Sequence, residues 1–424
     1  MTNQRPFLHG KRVLTWATTA AVLIALPMVF TQSFAVSMLS QMGIAIIFAL
    51  SYNMLLGQTG MLSFGHAVYF GLGAFISVHA LNAIGAGTFH WPVTLIPVIG
   101  GLAGLFFGVI FGYVTTKHSG TPFAMISLGI AEMVAACSLM FPTFFGGEGG
   151  ISTDRAAGEP FMGITYGPGI QVYYLIAGWC FLSMIAMFAL TQTPLGRMAN
   201  AVRDNAERAR FIGYNPTRVR YLMLMLSSFF AGIAGSLAAM NYELVTAENV
   251  GVVASGNVLL MAFIGGVGHF FGPVIGATLV TFIQSALSNY TLAWLLYFGL
   301  FFLVMILFAP GGIASLITLH KDAWQVSQVR RLIPAYIAAA LAGLIALLGL
   351  IGLIEMTYQV ETKAEQSGTG MSLFGIAFDA ATPMPWITSA AILVVGGLLL
   401  WAASRRVRAS WTAVALVINA RRSA

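Results

Sequence analysis

The side chains able to do chemistry inside the long apolar runs are few: Glu132, Asn53, Gln58, Ser63, His66, Asn257 and Gln284. Glu132 sits within 126–139 with no base near it in sequence. A carboxylate held from water must be neutral, paired across helices or beside a water-filled lumen. The amides and hydroxyls are cheaper, and each could touch a solute or simply join two helices. His66 stands in a glycine-rich stretch, where both roles are open. No catalytic arrangement emerges. The seven histidines are scattered, without a His-x3-His pair or an acid at ligand spacing, so no metal site is expected. Cys137 and Cys180 both lie in apolar runs and imply neither a disulfide framework nor a thiolate site. There is no Gly-x4-Gly-Lys-[Ser/Thr] phosphate loop, so the chain is not expected to hydrolyse ATP. What remains is hydrogen-bonding chemistry at membrane depth.

Two glycine-rich interruptions set these residues in place. One is Gly57-Gln-Thr-Gly-Met-Leu-Ser-Phe-Gly-His66, followed by Gly71 and Gly73; the other is Gly265-Gly-Val-Gly-His-Phe-Phe-Gly-Pro273. Each contains a Gly-His pair and precedes a Gly-Ala-containing helix (Gly73-Ala74, Gly276-Ala277). Glycine at this density disfavours continuous helix and lets backbones approach. Irregular backbone at membrane depth is tolerated only against protein or a water-filled cavity. Paired interruptions point to repeat symmetry around a central pathway; two unrelated tight turns would leave the same trace.

The elements that must position them are membrane helices. Of 424 residues, 58% are hydrophobic and only 8% charged, against about a quarter charged in soluble domains. Apolar runs fall at 13–30, 36–56, 63–82, 92–115, 121–141, 171–191, 221–241, 253–268, 272–289, 291–309, 332–354 and 386–403. The 47 glycines imply close helix packing and broken helices. With the N-terminus cytoplasmic and each run crossing once, all of the 20 basic residues fall inside except Arg155 and Lys363. Glu148, Asp154, Glu159, Glu243, Glu248, Glu355, Glu361, Glu365 and Asp379 all fall outside. This is the positive-inside pattern, so the net charge of +7 reflects topology, and no nucleic acid partner is expected. The first run follows Arg5, Lys11 and Arg12, and Ala35-Val36-Ser37 could pass for a cleavage site. The run is long for a signal sequence, which favours a retained anchor. Trp411–Ala420, between Arg408 and Arg421, is too short to span and is expected to lie on the cytoplasmic leaflet.

The longest cytoplasmic segment is Thr193–Arg220. After Pro194, Met198, Val202, Ala206 and Ala209 recur at helical spacing, and Gly213 and Pro216 supply a stop. A short amphipathic helix there could dock in a partner's groove; a basic loop that merely obeys the topology rule is the alternative.

Here a family resemblance becomes specific. Glu207-Arg208-Ala209, followed by Gly213, resembles the Glu-Ala-Ala-x3-Gly element of ABC importer permeases, with Arg208 in place of the middle alanine. Asn53-Met-Leu-Leu-Gly-Gln-Thr-Gly-Met-Leu-Ser-Phe-Gly-His66 resembles the signature of branched-chain amino acid (Liv-type) ABC transporter permeases. Gly146–Ile151, Thr193–Arg197, Ala201–Asn205 and Gly265–Pro273 follow in the expected order. The Gly146–Ile151 element suggests the LivM-like member of a permease pair.

The resemblance implies an all-α polytopic membrane protein with about ten core transmembrane helices, some broken, and an inverted repeat. About two C-terminal helices lie beyond the usual core. The expected division is 1–34 (N-terminus and first helix), 35–315 (permease core, coupling segment 193–220) and 316–424 (accessory helices and tail). The implied activity is ATP-driven uptake of branched-chain or other hydrophobic amino acids, in the plasma (inner) membrane of a prokaryote, with both termini cytoplasmic. Implied partners are a homologous second permease, two cytoplasmic ATPase subunits that bind ATP and Mg, a periplasmic or extracellular binding protein, and membrane lipid. No cofactor is expected in this chain. Arg203, Asp204, Glu207 and Gly213 are the candidates for ATPase coupling. Asn53, Gln58, Ser63, His66, Glu132, Gly268 and His269 are candidates for the translocation path, and Gly147, Glu148, Asp154, Glu243 and Glu248 for docking the binding protein.

Related permeases also carry urea, short amides and aromatic acids, so cargo stays open. An ion-coupled secondary transporter would need an intramembrane carboxylate, for which Glu132 is the candidate. A membrane-embedded enzyme lacks a ligand set, and a purely structural role suits the last two helices alone.

Overall fold

The computed structural model describes residues 7–158, 163–325, 329–363, 370–373 and 375–423; Arg5, Glu159 and Glu365 of the charge pattern lie outside them. In chain order the helices are α1 (Phe7–Val29), α2 (Ser33–Thr59), α3 (His66–Gly85), α4 (Ile96–Thr115), α5 (Thr121–Met140), α6 (Pro142–Phe145), α7 (Gly169–Gln192), α8 (Pro194–Asp204), α9 (Ala206–Phe211), α10 (Pro216–Tyr242), α11 (Val252–Gly265), α12 (Gly272–Tyr290), α13 (Trp294–Phe308), α14 (Gly312–Gln325), α15 (Val329–Tyr358) and α16 (Pro383–Ser423). The chain is an all-α polytopic membrane protein. Among the described residues eight helices are long and apolar enough to cross a membrane, or nine if Trp294–Phe308 and Gly312–Lys321 make one bent span. Each of the twelve apolar runs lies on a helix. Those at 13–30 and 253–268 form shorter apolar helices, Val13–Val29 and Val252–Gly265.

Two compact units are present: Met1–Ala286 with Phe302–Ala314, and Leu287–Phe301 with Ser315–Ala424. In the first, α10 is the central helix, with a long buried face packed against α2, α3 and α4. Small residues make this possible. Gly100, Gly104, Gly108 and Gly112 repeat every fourth position along one face of α4, and a Cβ on any of them would collide with α10, at Ser236, Gly232, Ser228 and Leu224. Gly235 of α10 lies equally close to the backbone of Phe70 in α3. With lipid as solvent, helices associate through such close backbone packing and not through exclusion of water.

Two short antiparallel ladders lie outside the helices. β1 (Ile151–Ser152) pairs with β2 (Leu244–Val245), joining the segment before α7 to the end of α10. β3 (Gly370–Leu373) pairs with β4 (Ile376–Asp379) between α15 and α16.

In the second unit α15 and α16 pack closely, with Gly349 and Gly352 against Ser389 and Gly396 against Ala346. The expected leaflet segment at Trp411–Ala420 is corrected here: α16 runs unbroken from Pro383 to Ser423, 41 residues. That is about 60 Å of helix, twice the hydrocarbon thickness. No glycine or proline occurs after Gly397 to end it. The extension is fastened by a directional chain. His320 Nδ1 lies 2.7 Å from the Leu316 carbonyl, which can only accept, so in the neutral ring Nε2 accepts from the Tyr336 hydroxyl at 2.8 Å. Trp411 Nε1 in turn donates to the Tyr336 oxygen at 2.7 Å. At the other end of α15, Glu355 accepts from the hydroxyls of Thr291 (2.7 Å) and Tyr297 (2.9 Å).

Candidate functional site

The two glycine-rich interruptions, some two hundred residues apart in sequence, meet in space. α2 ends at Gly60, whose φ of +71° forms a left-handed cap. In the second interruption Gly266 and Gly268 have φ of +116° and +97°, conformations that a side chain would strain. Asn53 Nδ2 donates to the His269 carbonyl at 3.4 Å, joining the two. Beside this contact lies a half-open cavity of about 250 Å³ lined by Asn53, Gly57, Gln58, Phe188, Thr191, Gln192, Asn200, Gly268 and Phe270. Its walls therefore come from α2, α7, α8 and the second interruption. The C-terminal ends of α2 and α7 both border it, and Arg203 caps the Gly57 carbonyl at the end of α2. Its lining is neutral and amide-rich on one side, while Phe188 and Phe270 meet edge-on (5.2 Å) on the other.

Of the path candidates, Asn53, Gln58 and Gly268 line this cavity and His269 supplies its carbonyl. Ser63 and His66 stand elsewhere, in the wall that holds the first interruption in shape. The Ser51 hydroxyl donates to the Phe48 carbonyl (2.7 Å), so its oxygen accepts from His66 Nε2 (3.0 Å), which fixes the tautomer. The ring is fully buried among Phe48, Tyr52 and Tyr69. Tyr52 donates to the Ser63 carbonyl (3.0 Å), and Ser227 of α10 to the Ser51 carbonyl (2.6 Å). Two backbone N–H groups freed by the break find serines on other helices: Phe64 donates to Ser127 (3.1 Å) and Ala67 to Ser255 (2.9 Å). Irregular backbone is thus satisfied internally, as membrane depth requires.

The coupling segment is two short helices with side-chain caps. Thr193 accepts from the Gly196 N–H (3.3 Å), and Asn205 from the Arg208 N–H (2.8 Å). Of the residues at helical spacing, Val202 and Ala209 are buried while Met198 and Ala206 are only half-buried; Ala199, outside that set, is buried as well. Gly213, at φ +92°, closes α9: its N–H donates to the Arg210 carbonyl and that of Tyr214 to the Ala209 carbonyl, the paired bonds of a Schellman end. Arg203 turns inward, donating to the Gly57 carbonyl while pairing with Asp204 at 2.9 Å. Glu207 is exposed in the first turn of α9. Charge and periodicity did not single out the apolar tip: Phe211 is 89% exposed, with Ile212 and Tyr214 also exposed. Its trace in the sequence is an apolar pair within an otherwise charged loop. Phe270 and Asn200 lie within stretches that the sequence marks, the second interruption and the cytoplasmic segment, whereas Phe188, Thr191 and Gln192 carry no local signal.

At the opposite end of α7 and α10 lie the docking candidates. Gly147 and Glu148 form a 3-10 turn, Asp154 accepts from the Ala156 N–H (2.8 Å), and Glu243 accepts from the Arg155 N–H (3.1 Å). Glu248 is exposed on the 3-10 turn Ala247–Val250. Glu132, halfway along α5, shares an open cleft of about 690 Å³ with Glu148, Thr246 and Glu248. The fold thus joins carboxylates that sequence reasoning had given two different roles. Among the described residues no group of His, Cys, Asp or Glu is placed to hold a metal ion.

The family described as "Branched-chain amino acid transport system / permease component" matches residues 34–310. The chain is 26% identical over 324 residues to the high-affinity branched-chain amino acid transport system permease protein LivM of Salmonella typhimurium, covering 72% of this chain and 75% of that one. It is 27% identical over 291 residues to LivM of Escherichia coli, covering 64% and 67%. It is also 24% identical over 281 residues to the permease protein LivH of Salmonella typhimurium, covering 62% and 89%. No solved structure matches the chain.

Proposed function

Because the chain belongs to the branched-chain amino acid transport permease family, we propose that it is one of two homologous permease subunits of an ATP-driven importer, with branched-chain amino acids as cargo. The chain is a multi-pass membrane transport subunit and not an enzyme. Its partners in this reading are a LivH-like second permease, two cytoplasmic ATPase subunits that bind ATP and Mg, and an external binding protein. The membrane is the plasma (inner) membrane of a prokaryote, with both termini cytoplasmic. Residues 35–315 carry transport and the helices beyond them are accessory.

The observation that carries this reading is the meeting of the two interruptions directly behind the coupling segment. A helix pair capped at both ends, with an apolar tip in water, is built to seat in a groove. Glu207, Phe211, Ile212 and the turn at Gly213 are the contact it offers to an ATPase subunit. The loops around Glu148 and Glu248 receive the binding protein. Among related cargoes, urea makes the same small demand on intramembrane charge, so competition decides between them.

The test is uptake of radiolabelled leucine in cells lacking this chain, with unlabelled isoleucine, urea, short amides and aromatic acids as competitors. Loss of leucine uptake, restored by the wild-type chain but not by a Glu207→Arg/Gly213→Asp variant that still inserts, is the expected result. Unchanged leucine uptake in the absence of redundant carriers would remove the amino acid assignment and move the search to the other competitors.

A further inference from the structure

The coupling segment and the second interruption share no direct hydrogen bond in the described residues, yet an unbroken series of contacts joins them through α2. Arg203, in the last turn of α8, donates from Nη1 to the Gly57 carbonyl. Its Cγ lies 3.0 Å from where a Cβ on Gly60 would be, so the stem is packed on the cap of α2. Nε and Nη2 hold Asp204 Oδ1 at 3.0 and 2.9 Å, which fixes the plane of the guanidinium. Gly57 carries no side chain, and the Asn53 amide fills the space where one would be. That amide reaches the His269 carbonyl, which follows the positive-φ Gly266 and Gly268.

Two features make the Asn53 contact one that can be exchanged. The Asn53–His269 bond, at 3.4 Å, is at the long end of hydrogen bonding and easily exchanged. The amide oxygens of Asn53 and Gln58 make no hydrogen bond to another protein group, so neither amide is locked in place by the fold. Both residues line the cavity between the interruptions. Coupling over distance needs an element that both sites can bias, and Asn53 touches both the Gly57 turn and the second interruption.

We propose that Arg203 is a positioning residue that links the ATPase-facing segment to the transport chamber, through Gly57 and Asn53 to His269. The inference rests on the importer reading given above. Displacement of α8–α9 by the ATPase subunits pulls on the Gly57 carbonyl, moves the Asn53 amide off His269 and changes access to the chamber. Arg203 would therefore act inward, while Glu207 and the apolar tip make the outward contact.

The test uses the whole transporter reconstituted in proteoliposomes, with leucine uptake and ATP hydrolysis followed in parallel. Arg203→Ala is expected to keep the ATPase subunits bound and hydrolysing while uptake falls about tenfold or more, with partial recovery in Arg203→Lys. Gly57→Ala, whose Cβ would evict the Asn53 amide, is expected to uncouple in the same way. Arg203→Ala/Asn53→Ala is expected to be no worse than either single variant, the signature of one shared linkage. A second readout does not depend on cargo: Asn200→Cys, in a Cys137→Ser background, is labelled by a water-soluble maleimide at rates that differ between ATP-bound and nucleotide-free transporter. Arg203→Ala should abolish that difference, and where it does not assemble Asn53→Ala carries the same test. Uptake and hydrolysis falling in proportion, additive losses, or labelling that stays nucleotide-dependent in the variants would overturn the proposal. If the wild-type transporter carries no leucine, the cargo reading fails, while the labelling experiment still decides the linkage.

Discussion

The backbone N–H of Arg155 donates to Glu243 Oε1 at 3.1 Å, and the Arg155 guanidinium stands 3.8 Å from the same oxygen. The guanidinium also donates to the carbonyls of Tyr166 (2.8 Å), Met240 and Asn241 (both 3.2 Å) and Gly167 (3.3 Å). A cation thus satisfies carbonyls left over at the C-terminal end of α10, where the helix dipole favours it. Arg155 is one of the two basic residues that break the expected charge sorting, and the fold uses it as an internal tie between the segment before α7 and the central helix.

Arg155→Met should leave those carbonyls unpaired in a largely buried site, at a cost of about 2–3 kcal/mol. Glu243→Gln should cost less, because that carboxylate is 38% exposed and solvent screens it. Thermal unfolding of the purified chain in detergent, followed by size-exclusion chromatography, checks the order; an equal effect of the two variants would contradict it.

The α4–α10 contact should tolerate no added side chain. Gly104→Val drives a branched Cβ into the Ser228 carbonyl and the Gly232 backbone, whereas Gly129 of α5 has nothing within 4 Å of its Cβ position. Gly104→Val is expected to abolish the monodisperse folded protein and Gly129→Val to leave it intact. Yield and elution profile of the two variants decide it.

His66 should be a structural residue. His66→Ala removes the Nε2–H bond to Ser51 and leaves a gap among Phe48, Tyr52 and Tyr69, costing about 3–5 kcal/mol by analogy with other large buried rings. The fraction of variant that does insert should transport with an unchanged KM. A raised KM at normal expression would instead put His66 on the path.

The apolar tip should carry the contact with the ATPase subunits. Phe211→Asp, at a position 89% exposed, should leave the chain as stable as wild type and weaken ATPase co-purification about tenfold or more. Co-purification at the wild-type level would place the contact elsewhere on the cytoplasmic face.

Tyr336→Phe should loosen the C-terminal end of α16. One hydroxyl accepts from Trp411 and donates to His320, so its loss removes two bonds, about 1–3 kcal/mol together. Faster trypsin cleavage near Arg405–Arg408, with the rest of the chain unaffected, is the expected result.

Much of this protein was legible as a linear pattern. The twelve apolar runs, the sorted charges and the stop at Gly213 are local properties, because a bilayer demands roughly twenty apolar residues per helical span and a left-handed C-terminal turn favours glycine. The helical spacing of Val202 and Ala209 foretold that they are buried. The family motifs at Asn53–His66 and Gly265–Pro273 marked the two breaks.

The leaflet segment at Trp411–Ala420 was misread because its polar flanks look like an end. No glycine or proline follows Gly397, and the helix continues through the segment to Ser423. Arg203 is a coupling candidate by its place in the cytoplasmic segment, and the sequence gives no sign that its guanidinium also reaches α2. Its inward turn depends on a carbonyl some 146 positions earlier in the chain.

The sequence by itself determined the solvent, the helices and the family, since each follows from residue type and near-neighbour spacing. Tertiary structure alone decided which polar residues share a space. Asn53 meets His269, Glu132 faces Glu148 and Glu248, and Arg155 ties down α10, whereas His66 is sealed into packing. Those pairings depend on how closely glycine-lined helices approach one another, a distance set by both surfaces together and by neither segment alone.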